Sequence, residues 1–217
     1  MRVLVSGFEA FGGAASNPSG DVVRRLALSG HPGVRLSTVV LPVAFAASGG
    51  RLRAAVDEFR PDVVIALGLA EGRSGITPER VAINLDDARI PDNDGAQPID
   101  ERIELHGPDG RFTGLPVKAI VDALQKADLP ASVSLSAGSY VCNHVFYVLQ
   151  ALAEQSERQG RPLRSGFIHV PASPELAAGH PGMPSLSLDE LERGIRIVID
   201  TVVATPVDAR LPGGAIH

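Results

Sequence analysis

Cys142 is the one cysteine in a chain of 217 residues. It stands in Leu135-Ser136-Ala137-Gly138-Ser139-Tyr140-Val141-Cys142-Asn143-His144, between a predicted strand and the start of a predicted amphipathic helix. A thiol at a helix N-terminus faces unpaired backbone N–H groups, which draw it toward the reactive thiolate and can hold an oxyanion. A lone cysteine is also commonly a small buried hydrophobe, so position leaves both readings open. A nucleophilic thiol needs a base, and the chain has six histidines. His144, two residues along the same helix, projects to another side and suits a structural or supporting place. His31, His106 and His180 fall in turn-like segments where a solvated surface position is expected, and His217 is the last residue. His169 is different. It lies in the apolar run Gly166-Phe167-Ile168-His169-Val170-Pro171, which carries it to the carboxyl edge of a strand, where sites in open α/β sheets gather. It reads as a base or as a core histidine bonded to backbone. A third group usually fixes the ring tautomer of such a pair. Glu71, Glu79, Asp86 and Asp87 are all candidates, and spacing does not choose among them.

The elements that must position these groups follow from periodicity. Apolar runs predict strands at Val3–Gly7, Val34–Val40, Asp62–Leu67, Arg80–Asp86, Ser132–Ser136 and Ser165–Val170. Helical spacing predicts a helix capped by Asn17 with Pro18 at its first position, then helices at Phe45–Phe59, Val117–Ala127 and about Asn143 to Arg158. A last helix follows the capping box Ser187-Leu188-Asp189-Glu190, with Leu188, Leu191, Ile195, Val198 and Val202 on one face. Alternating strands and helices predict an α/β fold with a mostly parallel sheet. Arg89–Pro116 and Ala172–Pro184 break the rhythm, and the tail beyond Thr205 is expected to be loosely ordered.

Composition excludes several classes. With 44% hydrophobic and 21% charged residues the chain is of ordinary globular type, and a single domain spanning 1–217 is expected. One cysteine and no leader pattern predict a reducing, cytoplasmic setting. No apolar run approaches the length of a membrane span. A net charge of −5, scattered basic residues and no Trp argue against nucleic acid. No His-x-x-x-His or Cys-x-x-Cys ligand spacing is found, and Gly7–Gly13 lacks a nucleotide-binding signature, so neither metal nor cofactor is expected. By architecture alone, a relative of nucleoside phosphorylases acting on another small ring stays open.

Longer motifs go further. Gly7-Phe8-Glu9-Ala10-Phe11-Gly12-Gly13, Asn17-Pro18-Ser19, Thr77-Pro78-Glu79-Arg80-Val81-Ala82-Ile83-Asn84-Leu85 and Ala88-Arg89-Ile90-Pro91-Asp92-Asn93 come first. Thr113-Gly114-Leu115-Pro116, Val141-Cys142-Asn143-His144, Phe167-Ile168-His169-Val170-Pro171 and Pro184-Ser185-Leu186-Ser187-Leu188 follow in the same order. Together they resemble the pyroglutamyl peptidase I family of cysteine peptidases. The resemblance implies a triad of Glu79, Cys142 and His169, with Phe8 and Phe11 lining a pocket for the pyrrolidone ring and Arg89 close to the reacting carbonyl. It further implies a three-layer α/β/α sandwich with a twisted sheet, and homodimers or homotetramers. Where bacterial members often have Gly-Gln-Ala-Gly-Gly-Arg, this chain has Gly68-Leu69-Ala70-Glu71-Gly72-Arg73. The expected reaction is thioester-forming removal of an N-terminal pyroglutamyl residue, with backbone groups near Leu69 and Val141 meeting the lactam. An inactive homologue that binds pyroglutamyl peptides is the alternative. Glycines beside Phe8 and Phe11 predict a tight exposed loop there.

Overall fold

The computed structural model describes residues 1–213. Its elements in chain order are β1 (Arg2–Phe8), α1 (Pro18–Ser29), β2 (Arg35–Leu41), α2 (Phe45–Phe59), β3 (Val63–Leu69), β4 (Thr77–Pro78) and β5 (Val81–Ile83). Then come β6 (Gly110–Phe112), α3 (Val117–Lys126), α4 (Val141–Arg158), β7 (Arg164–Val170), α5 (Pro174–Ala177) and α6 (Leu188–Ala204).

The main sheet has the order β2-β1-β3-β7-β4, with β4 antiparallel to β7 and the remaining pairs parallel. Alternation divides the apolar strands between two cores. Val3, Val5, Val63, Ile65, Leu67, Ile168 and Val170 pack with α1, α3 and α6. Leu4, Val64, Ala66 and Phe167 pack with α2 and α4 on the opposite face. The result is the expected three-layer sandwich with a mostly parallel, mixed sheet. Asn17 caps α1 through its side chain, and the Ser187–Glu190 capping box opens α6, both as the sequence predicts.

One feature of register makes room for a site. β1 pairs with β3 only as far as Ser6↔Ala66, yet β1 runs on beside β2 to Phe8↔Leu41 and β3 runs on beside β7 to Leu69↔Val170. β1 and β3 therefore part at their carboxyl ends. This is also where the chain's crossovers change direction, with α1 on one face and α2 on the other, the usual place for a ligand in an open α/β sheet.

Several expectations need correction. Gly7 belongs to β1 and is buried rather than part of an exposed loop. A Cβ there would lie 2.3 Å from the Ser19 carbonyl oxygen, so only glycine lets the N-terminus of α1 close against the strand. Arg80–Asp86 is not a buried strand of the main sheet; only Val81–Ile83 is regular, and it pairs antiparallel with β6 in a separate ribbon. The stretch from Ser132 to Ser136 forms no strand. It runs beside β4 and meets Glu79 at the single bridge Glu79↔Ser134, because its neighbour β4 is only two residues long. Arg89–Pro116 and Ala172–Pro184 are largely irregular as expected, although they contain β6 and α5. The tail is tied down as far as Asp208, whose carboxylate accepts from the Lys118 and Ala119 amides at 3.0 and 3.1 Å and caps α3. Its last residues, 214–217, including His217, lie outside the described residues. Among the described residues no helix is long and apolar enough to cross a membrane.

Candidate active site

Cys142 is the second residue of α4, where helix geometry leaves the first backbone N–H groups without intrahelical partners. The helix start is held by its neighbours. Asn143, fully buried, accepts from Ile83 N at 3.0 Å and donates to the Ile83 and Leu85 carbonyls at 2.9 Å each. His144 Nδ1 lies 2.7 Å from Asp86 Oδ2, which gives this histidine the structural place its spacing predicts.

Gly68 shows where the sulfur sits. A Cβ built on Gly68 would lie 2.9 Å from Cys142 Sγ and 2.7 Å from the Phe167 ring. Gly68 is the register partner of His169 across the β3–β7 pair. Side chains of register partners point to the same face about one strand spacing apart, ~4.8 Å. Thiol and imidazole therefore share the α4 face of the sheet.

His169 is buried, and its Nδ1 lies 2.7 Å from Glu79 Oε1. An ionised carboxylate only accepts, so Nδ1 carries the proton and Nε2 keeps a lone pair. Thr77, two residues before Glu79, is paired with His169 in the antiparallel β4–β7 bridge, and that pairing delivers the carboxylate to the ring. Glu71 and Asp87 are exposed, and Asp86 is taken up by His144, so geometry selects Glu79 among the four candidate acids.

Burial pushes the Cys142 thiol up to about 12, with the Glu79 charge adding and the Arg73 charge opposing. This runs against the lowering expected from the helix N-terminus. Burial also holds the His169 imidazole below its ordinary 6.5; the bond and charge of Glu79 oppose that shift and Arg73 reinforces it. Cys142 is half-buried and His169 buried, and both shifts favour a neutral thiol facing a neutral imidazole.

Beside the thiol is a small, narrow apolar pocket lined by Phe8, Phe11, Asn17, Val43, Leu69, Tyr140, Val141 and Cys142. Phe8 is the last residue of β1, nearly fully buried against Phe167, and Phe11 packs beside Tyr140. Leu69 and Val141, expected near the lactam, both line this space. The segment after Asp86 forms a strap tied to residues beside its walls. Asp87 N donates to Ser139 O at 2.9 Å, Tyr140 Oη donates to Pro91 O at 3.1 Å, and Asn93 Nδ2 donates to Glu9 Oε1 at 3.0 Å. Arg89 lies exposed on this strap and is not among the lining residues.

Sequence reasoning missed Arg73, whose Nη1 lies 3.0 Å from Glu79 Oε1. It also missed Tyr140, Val43 and Asn17 as pocket walls. It misplaced His31, whose side chain is only 4% exposed, with Nε2 3.6 Å from Asp200 Oδ1. His106 and His180 are exposed, as expected. Among the described residues no group of three or more His, Cys, Asp or Glu is gathered that could hold a metal ion.

The chain matches the family described as pyroglutamyl peptidase over residues 1–205. It is 45% identical over 216 residues to a pyrrolidone-carboxylate peptidase of Yersinia pestis, covering 100% of this chain and 99% of that one. It is 47% identical to pyrrolidone-carboxylate peptidase 1 of Photorhabdus laumondii, covering 99% of both. Its fold superposes on the crystal structure of Bacillus amyloliquefaciens pyroglutamyl peptidase I with a TM-score of 0.90 and 43% identity, over 96% of this chain and 99% of that one. Matched in sequence and fold along nearly its whole length, the chain belongs to the pyroglutamyl peptidase family.

Proposed function

We propose that this protein is a cysteine exopeptidase that hydrolyses the bond after an N-terminal pyroglutamyl residue, with Cys142 as nucleophile, His169 as base and Glu79 as orienting carboxylate. The observation that carries the reading is the convergence of Cys142 Sγ and the Glu79-bonded His169 over Gly68, at the mouth of a small apolar pocket. Pyroglutamate is a neutral lactam, so shape and amide pairing must select it. Phe8, Phe11 and Tyr140 supply apolar walls. Alternation along β3 sends the Ala70 amide to Val170 and turns the Leu69 amide and carbonyl to the β1 side, past the last β1–β3 pair. In this reading those groups, with the Val141 backbone, meet the lactam C=O and N–H. Leaving either lactam group unpaired would cost ~1–3 kcal/mol, which discriminates against rings lacking the amide.

In the reaction, His169 Nε2 takes the thiol proton as sulfur attacks the scissile carbonyl, so no free thiolate has to persist in the pocket. The Cys142 backbone N–H receives the developing oxyanion, with the guanidinium of Arg89 reaching from the strap as a second donor. His169 then gives the proton to the leaving amine. Water, activated by the same imidazole, cleaves the thioester and restores the thiol. The same reading gives the enzyme a cytoplasmic setting, where a lone thiol stays reduced, and a homodimeric or homotetrameric assembly, checked by light scattering.

Incubation with a pyroglutamyl arylamide under reducing conditions tests the activity. Release of the arylamine by the parent, lost in Cys142→Ala while pyroglutamyl peptide binding is kept, is the expected result. Binding without turnover in the parent would replace the enzyme with a pyroglutamyl-peptide binder.

A further inference from the structure

The loop after β3 places Arg73 where two separate segments of the site meet. Its Nη1 lies 2.7 Å from Thr77 Oγ1 and 3.0 Å from Glu79 Oε1, while its Nη2 donates to Ser136 O at 2.9 Å. Thr77 is the register partner of His169, Glu79 binds the imidazole, and Ser136 belongs to the segment that leads into α4 and Cys142. We propose that Arg73 is a positioning residue of this peptidase: it fixes the Glu79 oxygen that meets His169 and sets an opposing charge beside the thiol–imidazole pair. The inference rests on the peptidase reading above.

The carboxylate itself argues for this. Glu79 is fully buried, its Oε1 takes both the imidazole and the guanidinium, and its Oε2 is buried with no partner. Only one oxygen is anchored, so without Arg73 the group is free to rotate and the direction of the His169 bond is no longer set. A planar fork reaching three acceptors in different directions is something a lysine ammonium on a flexible stem reproduces only in part. The charged and titratable groups that face His169 are Glu79 from the segment after β4, Cys142 from α4 and Arg73 from the loop after β3. Arg73 is the cation among them, and it opposes Glu79 at the thiol.

Two variants test this, Arg73→Met and Arg73→Lys, with kcat and KM for a pyroglutamyl arylamide followed across pH. The rate of Cys142 alkylation by iodoacetamide is followed over the same range, since it needs no turnover. In Arg73→Met, kcat is expected to fall about 10- to 100-fold, as for a buried carboxylate that loses its ion-pair partner. KM should stay near the parent value, because Arg73 does not line the ring pocket. The acid limb of kcat and the alkylation profile should both move to higher pH, because the charge that disfavours imidazolium and favours thiolate is gone. Arg73→Lys should retain part of the rate and most of the limb position. A loss of rate with both profiles unmoved in a folded variant would mark Arg73 as merely structural and overturn the proposal; so would a loss confined to KM. Should Arg73→Met not fold, Arg73→Lys with parental profiles and parental kcat overturns it equally. If the parent itself shows no turnover, the peptidase reading fails, and unchanged alkylation profiles in the variants would still sink the role of Arg73.

Discussion

The imidazole of His169 is useful only while neutral, and its surroundings favour that state. Burial outweighs the Glu79 carboxylate and holds it below its ordinary 6.5. The acid limb of kcat/KM for a pyroglutamyl arylamide is therefore expected below pH 6.5, read from a pH profile in buffers of constant ionic strength; a limb above that value would contradict the site as described. Glu79→Gln removes the group that fixes the tautomer, and turnover should drop by up to about 10⁴-fold with little change in KM. The thiol gives a second measurement. Pushed up to about 12, it should react with iodoacetamide slowly near neutrality and still be gaining rate above pH 10, where an ordinary cysteine levels off. At this scale the sequence revealed unequal amounts. Cys142 and His169 were legible as candidates because a helix start and a strand end are local signals. Glu79 could be chosen only through the family resemblance or the coordinates, since the two-residue β4 that delivers it has no period to read. Arg73 was invisible because its partners Thr77 and Glu79 lie on one segment and Ser136 on another far along the chain, a meeting that no local pattern encodes.

Among the elements, close approach of β3, β7 and α4 is what brings sulfur to imidazole, and Gly68 is the residue that permits it. A methyl group there would lie 2.7 Å from the Phe167 ring and 2.9 Å from Cys142 Sγ. Gly68→Ala is expected to cost ~1–3 kcal/mol in urea unfolding and to cut turnover more sharply than binding, because the sulfur itself must shift. The α4 layer is also tied to the ribbon through Arg111 of β6. This buried guanidinium lies 2.8 Å from Glu104 Oε2 and 3.1 Å from Glu154 Oε1, and it stacks 4.1 Å over the Tyr147 ring. The two glutamates are nearly half exposed, so they can return to water while the guanidinium cannot. Removing both carboxylates as Glu104→Gln with Glu154→Gln should thus cost ~3 kcal/mol, more than the ~1–2 kcal/mol of Arg111→Met, which leaves two solvated anions behind. Denaturant midpoints of the two variants decide this ordering. The helices and central strands behind these contacts were legible from period and caps, as in Asn17-Pro18 and Ser187–Glu190. The ribbon was not, because Val81–Ile83 and Gly110–Phe112 are three residues each and pair across a long irregular segment.

Taken as a whole, the molecule buries its imidazole and half-buries its thiol in the sandwich, and that choice leaves a signature in stability at both ends of the pH scale. For His169 the folded pKa is depressed below 6.5. As pH falls below 6.5 the unfolded chain takes up a proton that the folded one refuses, so stability present above that pH is lost on acidification. For Cys142 the folded value stands at about 12 against an ordinary 9.0. Its contribution is complete below pH 9 and is lost as pH rises toward 12, because the unfolded thiol ionises first. Tyr140 and Tyr147, both raised chiefly by burial, act in the same alkaline direction, so the absolute curve is a sum. Differences between variants isolate the two groups. Urea midpoints measured from pH 5 to 10.5 should show His169→Gln with a flatter acid side and an unaltered alkaline side, and Cys142→Ala with the reverse. An alkaline slope in Cys142→Ala as steep as the parent's would mean that the thiol titrates in the folded chain as it does unfolded, and a steeper one would mean a preformed thiolate in place of the neutral pair.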